Sequence, residues 1–256
     1  MHPNHHLDEG TPLVNSRAQA HLFAEWAWFW HLEKKVLLEK SPSNVVISPF
    51  LHALWGLNQT KSPAKFIFVQ RHPIIVAIAT QRRGGMMVDD LSIGDLVEHW
   101  VAAEERRARD VRQYFEMDES RSGAYRMVTM EDILENPRKV LSELLTWLEL
   151  SENEELLKGF EAVVHKTQNK AYFRVYCDHL IHADQKFENE HHKMVERLRD
   201  RVLAVSSYDL NKVPSICREV LLGIDTSATA PELQMPPETD DEEETDMRKE
   251  EGKAEV

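Results

Sequence analysis

Three short segments of this chain carry residue types suited to group-transfer chemistry. Glu39-Lys40-Ser41-Pro42 sets a carboxylate beside an ammonium, a pair able to take a proton and to stabilise a transferred anionic group. Arg71-His72-Pro73 sets a guanidinium just ahead of a proline that suits a first helical turn, so side chain and free backbone N–H groups can meet one anion. Thr129-Met130-Glu131-Asp132-Ile133, followed by Asn136-Pro137, places acids where a helix dipole favours them and reads as structural. Plainer uses exist for the first two as well. Glu39 and Lys40 also read as an ion pair at a sheet edge, and Arg71 as part of a surface strand-to-helix turn.

Elements must position these groups. Residues 17–35 read as a helix, with Leu22, Trp26, Phe29 and Trp30 at helical spacing. Trp26 and Trp30 share one face and read as core, although Trp26, Trp28 and Trp30 could also line an acceptor pocket. Val36, Leu37 and Leu38 then read as a short buried strand that stops at the Ser41-Pro42 turn. Asn44 or Ser43 is placed to cap a helix over Val45 to Trp55, and Asn58 to Pro63 reads as a loop. Lys65 to Val69 is the clearest strand, being aromatic and β-branched, and a helix follows Pro73. Residues 91–115 read as a long charged helix, Tyr125 to Thr129 as a third strand, and Asn136-Pro137 as the start of a helix through Leu148. Residues 152–222 read as mostly helical, a second layer over the core. Strands alternating with helices imply an α/β parallel sheet, and open parallel sheets hold ligands beyond the C-terminal strand ends. On this reading Glu39 and Arg71 emerge side by side from neighbouring strands into one cleft.

At this point the segments become recognisable. EKSPSN, then AKFIFVQRHPIIVAIATQR, then YRMVTMEDILENPRKVLSELLTWLEL resemble the sulfotransferase superfamily, in the branch with an EKSP or EKTP turn and an RHP turn. The likeness covers roughly residues 36–150 and is weaker beyond. It implies a P-loop-like α/β fold that uses 3′-phosphoadenosine 5′-phosphosulfate (PAPS) and moves a sulfuryl group to a hydroxyl or amine of a small molecule, carbohydrate or protein. By the same resemblance Glu39 is the base for the acceptor, Lys40 lies beside the sulfuryl group, and Arg71 binds the donor's 3′-phosphate. Lys166, Lys170 and Arg174, in KTQNKAYFRVY, fall where the family closes its nucleotide site and would contact donor phosphates, although an amphipathic helix with a solvated basic face also fits them.

Two departures bear on activity. The family has a serine eight residues after the arginine; Ala79 stands there, and Thr80, about 100° further round a helix, is the nearest substitute. The glycine-rich loop that wraps the 5′-phosphosulfate has no counterpart: Gly10-Thr11 lies too near the start, Gly84-Gly85 follows the RHP helix, and Asp8-Glu9-Gly10 resembles a stretch downstream of that loop. The expectation is therefore a chain that begins after the family's first strand and loop. Losing three or four charged hydrogen bonds, at about 1.5–3 kcal/mol each, would remove useful donor binding. The alternative is a non-catalytic relative or interaction scaffold. A nucleotide kinase fits less well, since it needs the same loop and a magnesium-holding acid.

Composition sets outer bounds. The 256 residues carry a net charge of −13 with 42% apolar residues, enough for one sizeable domain. Residues 227–256 hold eleven acids against Arg248, Lys249 and Lys253, so the expected division is a folded domain over 1–226 and an acidic unfolded tail over 227–256. That tail offers itself to a basic partner or simply keeps the chain soluble. A mildly acidic body lacks the basic stripe that nucleic acids or anionic membranes require. No run of apolar residues is long enough to span a bilayer, and the polar, His-rich start is no signal peptide. The compartment stays open: cytoplasmic by default, the Golgi lumen if a leader precedes this sequence. Cys177 and Cys217 are too few for a disulfide framework and match no zinc spacing. His2, His5 and His6, His179 with His182, and His191 with His192 lack the partners of a metal site, so no metal is expected.

Overall fold

The computed structural model describes residues 7–57, 64–84, 90–164, 168–182 and 185–222. All belong to the first of the two units, 1–223 and 224–256, into which the chain divides. The acidic tail, Lys166, the loop expected at Asn58 to Pro63 and the histidines at 2, 5 and 6 lie outside the described residues. In chain order the elements are α1 (Ser16–Ala27), a 3-10 turn (Pro42–Val46), α2 (Ser48–Gly56), β1 (Phe66–Gln70), α3 (Pro73–Arg83) and α4 (Ile93–Asp110). A π-helical turn (Val111–Phe115), α5 (Glu119–Ser122), β2 (Tyr125–Thr129), α6 (Met130–Glu135), α7 (Pro137–Trp147) and α8 (Glu154–Val163) follow. The described chain then runs through α9 (Gln168–His182), α10 (Gln185–Val205), a 3-10 turn (Leu210–Lys212) and α11 (Val213–Leu222).

The architecture is α/β, mostly helical around a small parallel sheet. β1 and β2 pair in register from Phe66 opposite Tyr125 to Gln70 opposite Thr129; β2 runs directly into α6, and β1 leads into α3 after Arg71 and His72. Each strand end therefore faces the same way, as the crossover from β1 through α3 and α4 to β2 requires. Ser92 and Asp95 form a capping box at the start of α4, each side chain taking the other's backbone N–H. From there Leu96, Val97, Trp100 and Val101 present a stripe that packs with Ile74, Ile75 and Ile78 of α3. α9, α10 and α11 close this main core with Tyr176, Leu198, Val202 and Val213, all essentially inaccessible. A second cluster joins Phe68 of β1 to Tyr114 and Phe115, and a third joins α1 to Phe50, Leu51 and Leu54 of α2.

Several expectations need correction. The strand at Val36 to Leu38 does not form: the segment is irregular, with Val36 48% and Leu38 75% exposed. A buried parallel strand needs a paired neighbour and covered faces, and β1 pairs only with β2 among the described residues. The helix expected over 17–35 stops at Ala27. Trp30 turns back to stack edge-on against Trp26 and donates its indole N–H to the Leu38 carbonyl at 2.8 Å. Trp26 packs on the third cluster, whereas Trp28 is 87% exposed. The helix expected over 45–55 is divided, because Pro49 fits only a first turn and α2 starts afresh at Ser48. Neither Ser43 nor Asn44 caps it. The long helix of 91–115 finishes as a π turn from Val111.

Cys177 and Cys217 form a disulfide that ties α9 to α11 inside the main core. With both sulfur-bearing residues fully buried, packing brought together what two distant positions in the sequence did not advertise. Disulfides form and persist in oxidising compartments.

Candidate functional site

Arg71 is the first residue beyond β1, and His72 caps the helix that follows. The His72 ring is 6% exposed, and burial pushes its pKa down to about 4, so the neutral imidazole keeps Nδ1 as an acceptor for the Ile74 N–H at 3.3 Å. Pro73 occupies the first turn. These three residues fix the turn that aims Arg71 across the strand ends.

The guanidinium meets α9. Arg71 Nε and Nη2 both donate to Asn169 Oδ1, at 2.8 and 2.6 Å. One turn further on, the Tyr172 ring lies 5.2 Å from the Arg71 guanidinium and 5.8 Å from that of Arg82, so one aromatic ring is shared by two cations. Burial lowers the Arg71 pKa, and Tyr172, Glu131 and Tyr208 oppose that change; an arginine stays charged throughout.

Glu131 closes the cluster from the second strand end. Thr129 caps α6 through the Asp132 N–H, which leaves Glu131 in the first turn facing β1. Its carboxylate accepts from the His72 N–H at 3.2 Å, from Asn169 Nδ2 at 3.1 Å and from the Tyr208 hydroxyl. Burial, then the bond to Glu131, raises the Tyr208 pKa, so the phenol is a donor at neutral pH. Glu131, read from the sequence as structural, thus links both strand ends to α9 and to the chain after α10. Beneath it, Gln70 of β1 donates to Glu104 Oε2 at 2.6 Å, and Arg107 Nε donates to the same oxygen at 2.7 Å. These groups are under 10% exposed, so the floor of the site is a paired, buried network.

The other anticipated residues fare differently. Glu39 is half-buried on irregular chain and accepts from Asn44 Nδ2; Lys40 beside it is exposed. Neither sits at a strand end, so the side-by-side emergence of Glu39 and Arg71 from paired strands is not what the fold provides. Thr80 turns its hydroxyl back to the Val76 carbonyl of its own helix at 2.8 Å, a common use of a helical threonine, and does not join Arg71. Lys170 is exposed on α9, and the α9 side chains that meet Arg71 are Asn169 and Tyr172. The sequence flagged KTQNKAYFRVY for its cations; the signal it missed is the i, i+3 pair Asn169 and Tyr172, which share a helix face.

Among the described residues no group of three or more His, Cys, Asp or Glu side chains could hold a metal. His191 is buried against the Tyr176 hydroxyl at 2.6 Å, with its pKa pushed down to about 4 by burial. That pair lines a cleft of about 570 Å³ between α3, α4, α9 and α10, to which Arg71 does not contribute. No described helix is long and apolar enough to cross a membrane. Comparison with protein families, with curated proteins and with solved structures finds no match for this chain.

Proposed function

We propose that this chain is a sulfotransferase-type protein whose strand-end cluster receives the 3′-phosphate end of PAPS. The observation that carries this reading is Arg71: a half-buried guanidinium at the C-terminal end of a parallel strand, one residue before a capped helix, with an aromatic ring against it. This is the position from which open α/β sheets bind phosphorylated ligands. The described residues suit that half of the donor, since Arg71 supplies a forked donor for a phosphate and Tyr172 a surface for a planar ring. No described residue forms a glycine-rich loop for the phosphosulfate half.

PAPS brings the activated sulfuryl group: its bond to the 5′-phosphate oxygen breaks as sulfur bonds the acceptor oxygen or nitrogen, and adenosine 3′,5′-bisphosphate leaves. Within the chain, Arg71 holds and neutralises phosphate. Tyr208 and the His72 N–H hold the Glu131 carboxylate in place beside the cluster. Glu39 is the residue left to take the acceptor's proton, with Lys40 beside it.

One observation favours a second reading, a non-catalytic relative that binds without transferring. Glu39 and Lys40 stand on irregular chain and not at a strand end paired beside Arg71. Release of adenosine 3′,5′-bisphosphate from PAPS, followed with a pool of hydroxyl and amine acceptors, separates the two. Acceptor-dependent release that falls at least about a hundred-fold in Glu39→Gln supports the enzyme. Nucleotide binding with no release supports the non-catalytic relative, and no nucleotide binding rejects both.

A further inference from the structure

Arg71 is not waiting empty. Two of its N–H groups already converge on a single oxygen, that of the Asn169 amide, at 2.8 and 2.6 Å. A forked donor that grips one oxygen in this way offers a phosphate or sulfate oxygen the same two bonds. The other half of the amide is held as well, since Asn169 Nδ2 donates to Glu131 Oε1 at 3.1 Å. Asn169 therefore bridges the cation at one strand end and the carboxylate at the other.

From this bridge we infer that Asn169 is a built-in stand-in for the bound anion, and that a phosphate or sulfate group reaches the Arg71 fork only by displacing it. The inference rests on Arg71 being the anion site proposed above, and adds the residue that regulates entry to it. Displacement strands no partner without compensation. Glu131 keeps its bonds from the His72 N–H and the Tyr208 hydroxyl, and the departing amide is half-buried, within reach of water. The motion is a side-chain rotation and not departure of the helix. Phe173 and Tyr176 are buried in the main core, and Cys177 is bonded to Cys217, so α9 is pinned just beyond its first turn. Tyr172 stays against Arg71 and keeps the guanidinium aimed while Asn169 swings.

The two states differ in which oxygen satisfies Arg71, so the anion's affinity is reduced by the strength of the internal bond it replaces. Removing the competitor tightens binding. Glu131 sets the choice of variants: with Asn169 cut back to alanine, Arg71 is free to turn onto Glu131, which would hide the gain. The comparison is therefore made twice, in the natural chain and in Glu131→Gln.

Inorganic phosphate and adenosine 3′,5′-bisphosphate are titrated into the full chain, Asn169→Ala, Glu131→Gln and the double variant, with thermal melts confirming that each is folded. Asn169→Ala should tighten phosphate about ten-fold in the Glu131→Gln background, raise the phosphate-induced gain in melting temperature, and lose both effects when Arg71→Ala is added. Unchanged or weaker phosphate binding in the double variant relative to Glu131→Gln overturns the inference, because Asn169 is then a scaffold or a ligand contact. Tighter phosphate binding without any nucleotide binding overturns the PAPS reading and leaves the stand-in intact. Nucleotide binding that Asn169→Ala weakens in both backgrounds does the reverse.

Discussion

Arg71 and Glu39 both precede a proline-bearing turn and both were expected to cap a strand, yet the fold treats them differently. Arg71 leaves a strand paired residue by residue with β2 and enters a helix whose first turn is fixed by His72 and Pro73. Its guanidinium is then met from α9 by Asn169 and Tyr172. Glu39 follows an unpaired stretch with exposed Val36 and Leu38, and its carboxylate accepts from its near neighbour Asn44. A reactive side chain is only as well placed as the backbone beneath it. The strand end with a neighbour gathers a packed, hydrogen-bonded cluster around its cation, and the extended segment without one does not.

The comparison can be broken from beneath Arg71. Glu104→Ala removes the carboxylate that joins Gln70 to Arg107 and leaves a buried guanidinium uncompensated. Urea unfolding should show a loss of about 3–5 kcal/mol, and nucleotide affinity should fall with it. A loss under about 1 kcal/mol would mean that the network does not support the strand end. Replacing Cys177 and Cys217 together by serine loosens α9 from the other side. With the two cysteines 40 positions apart in sequence, the loss of cross-link should destabilise the chain by about 2–4 kcal/mol, and a reducing agent should reproduce the effect in the natural chain.

Acid should sharpen the difference. His72 and His191 are buried neutral with pKa values of about 4, whereas in the unfolded chain histidine titrates near 6.5. Both pKa values are depressed on folding, so the unfolded state binds more protons between these limits. Stability is therefore full above about pH 6.5 and falls as pH drops towards 4, by roughly 1 kcal/mol per pH unit for each histidine. Denaturant midpoints from pH 7 to 5 measure the slope, to which His52, its pKa also lowered by burial, adds; His191→Phe should remove one buried histidine's share, roughly 1 kcal/mol per pH unit. A flat profile would show that neither ring is buried as described. The smallest effect belongs to the open segment: Lys40→Ala should alter stability by less than about 0.5 kcal/mol, and Glu39→Gln, away from the strand end that holds Arg71, should change nucleotide affinity less than about two-fold. A ten-fold change at Glu39 would place it against the donor and rejoin the two regions.

Much of this framework is legible in the sequence. KFIFVQ followed by RHP announces a strand, a turn and a helix; Tyr125, Val128 and Thr129, with Pro137 opening a helix, do the same for β2 and α7. These signals are local, and local propensity carries them. Val36 to Leu38 shows the limit, since three apolar residues before a turn describe a strand only if another strand is there to pair with it. Asn169, Tyr172 and Glu131 were hidden for a related reason. They meet Arg71 across 98, 101 and 60 positions of chain, and an uncharged amide on a basic helix gives no chemical signal until packing sets it against a guanidinium. The disulfide escaped likewise, because two cysteines 40 residues apart carry no pattern.

Calorimetric titration of adenosine 3′,5′-bisphosphate and of adenosine 5′-monophosphate into the natural chain and Arg71→Ala tests the central placement most directly. The account predicts one site for the bisphosphate, weakened about ten- to a hundred-fold by Arg71→Ala, with the monophosphate weaker and nearly indifferent to the change. Equal effects on both nucleotides, or no binding of the bisphosphate to the natural chain, would contradict it.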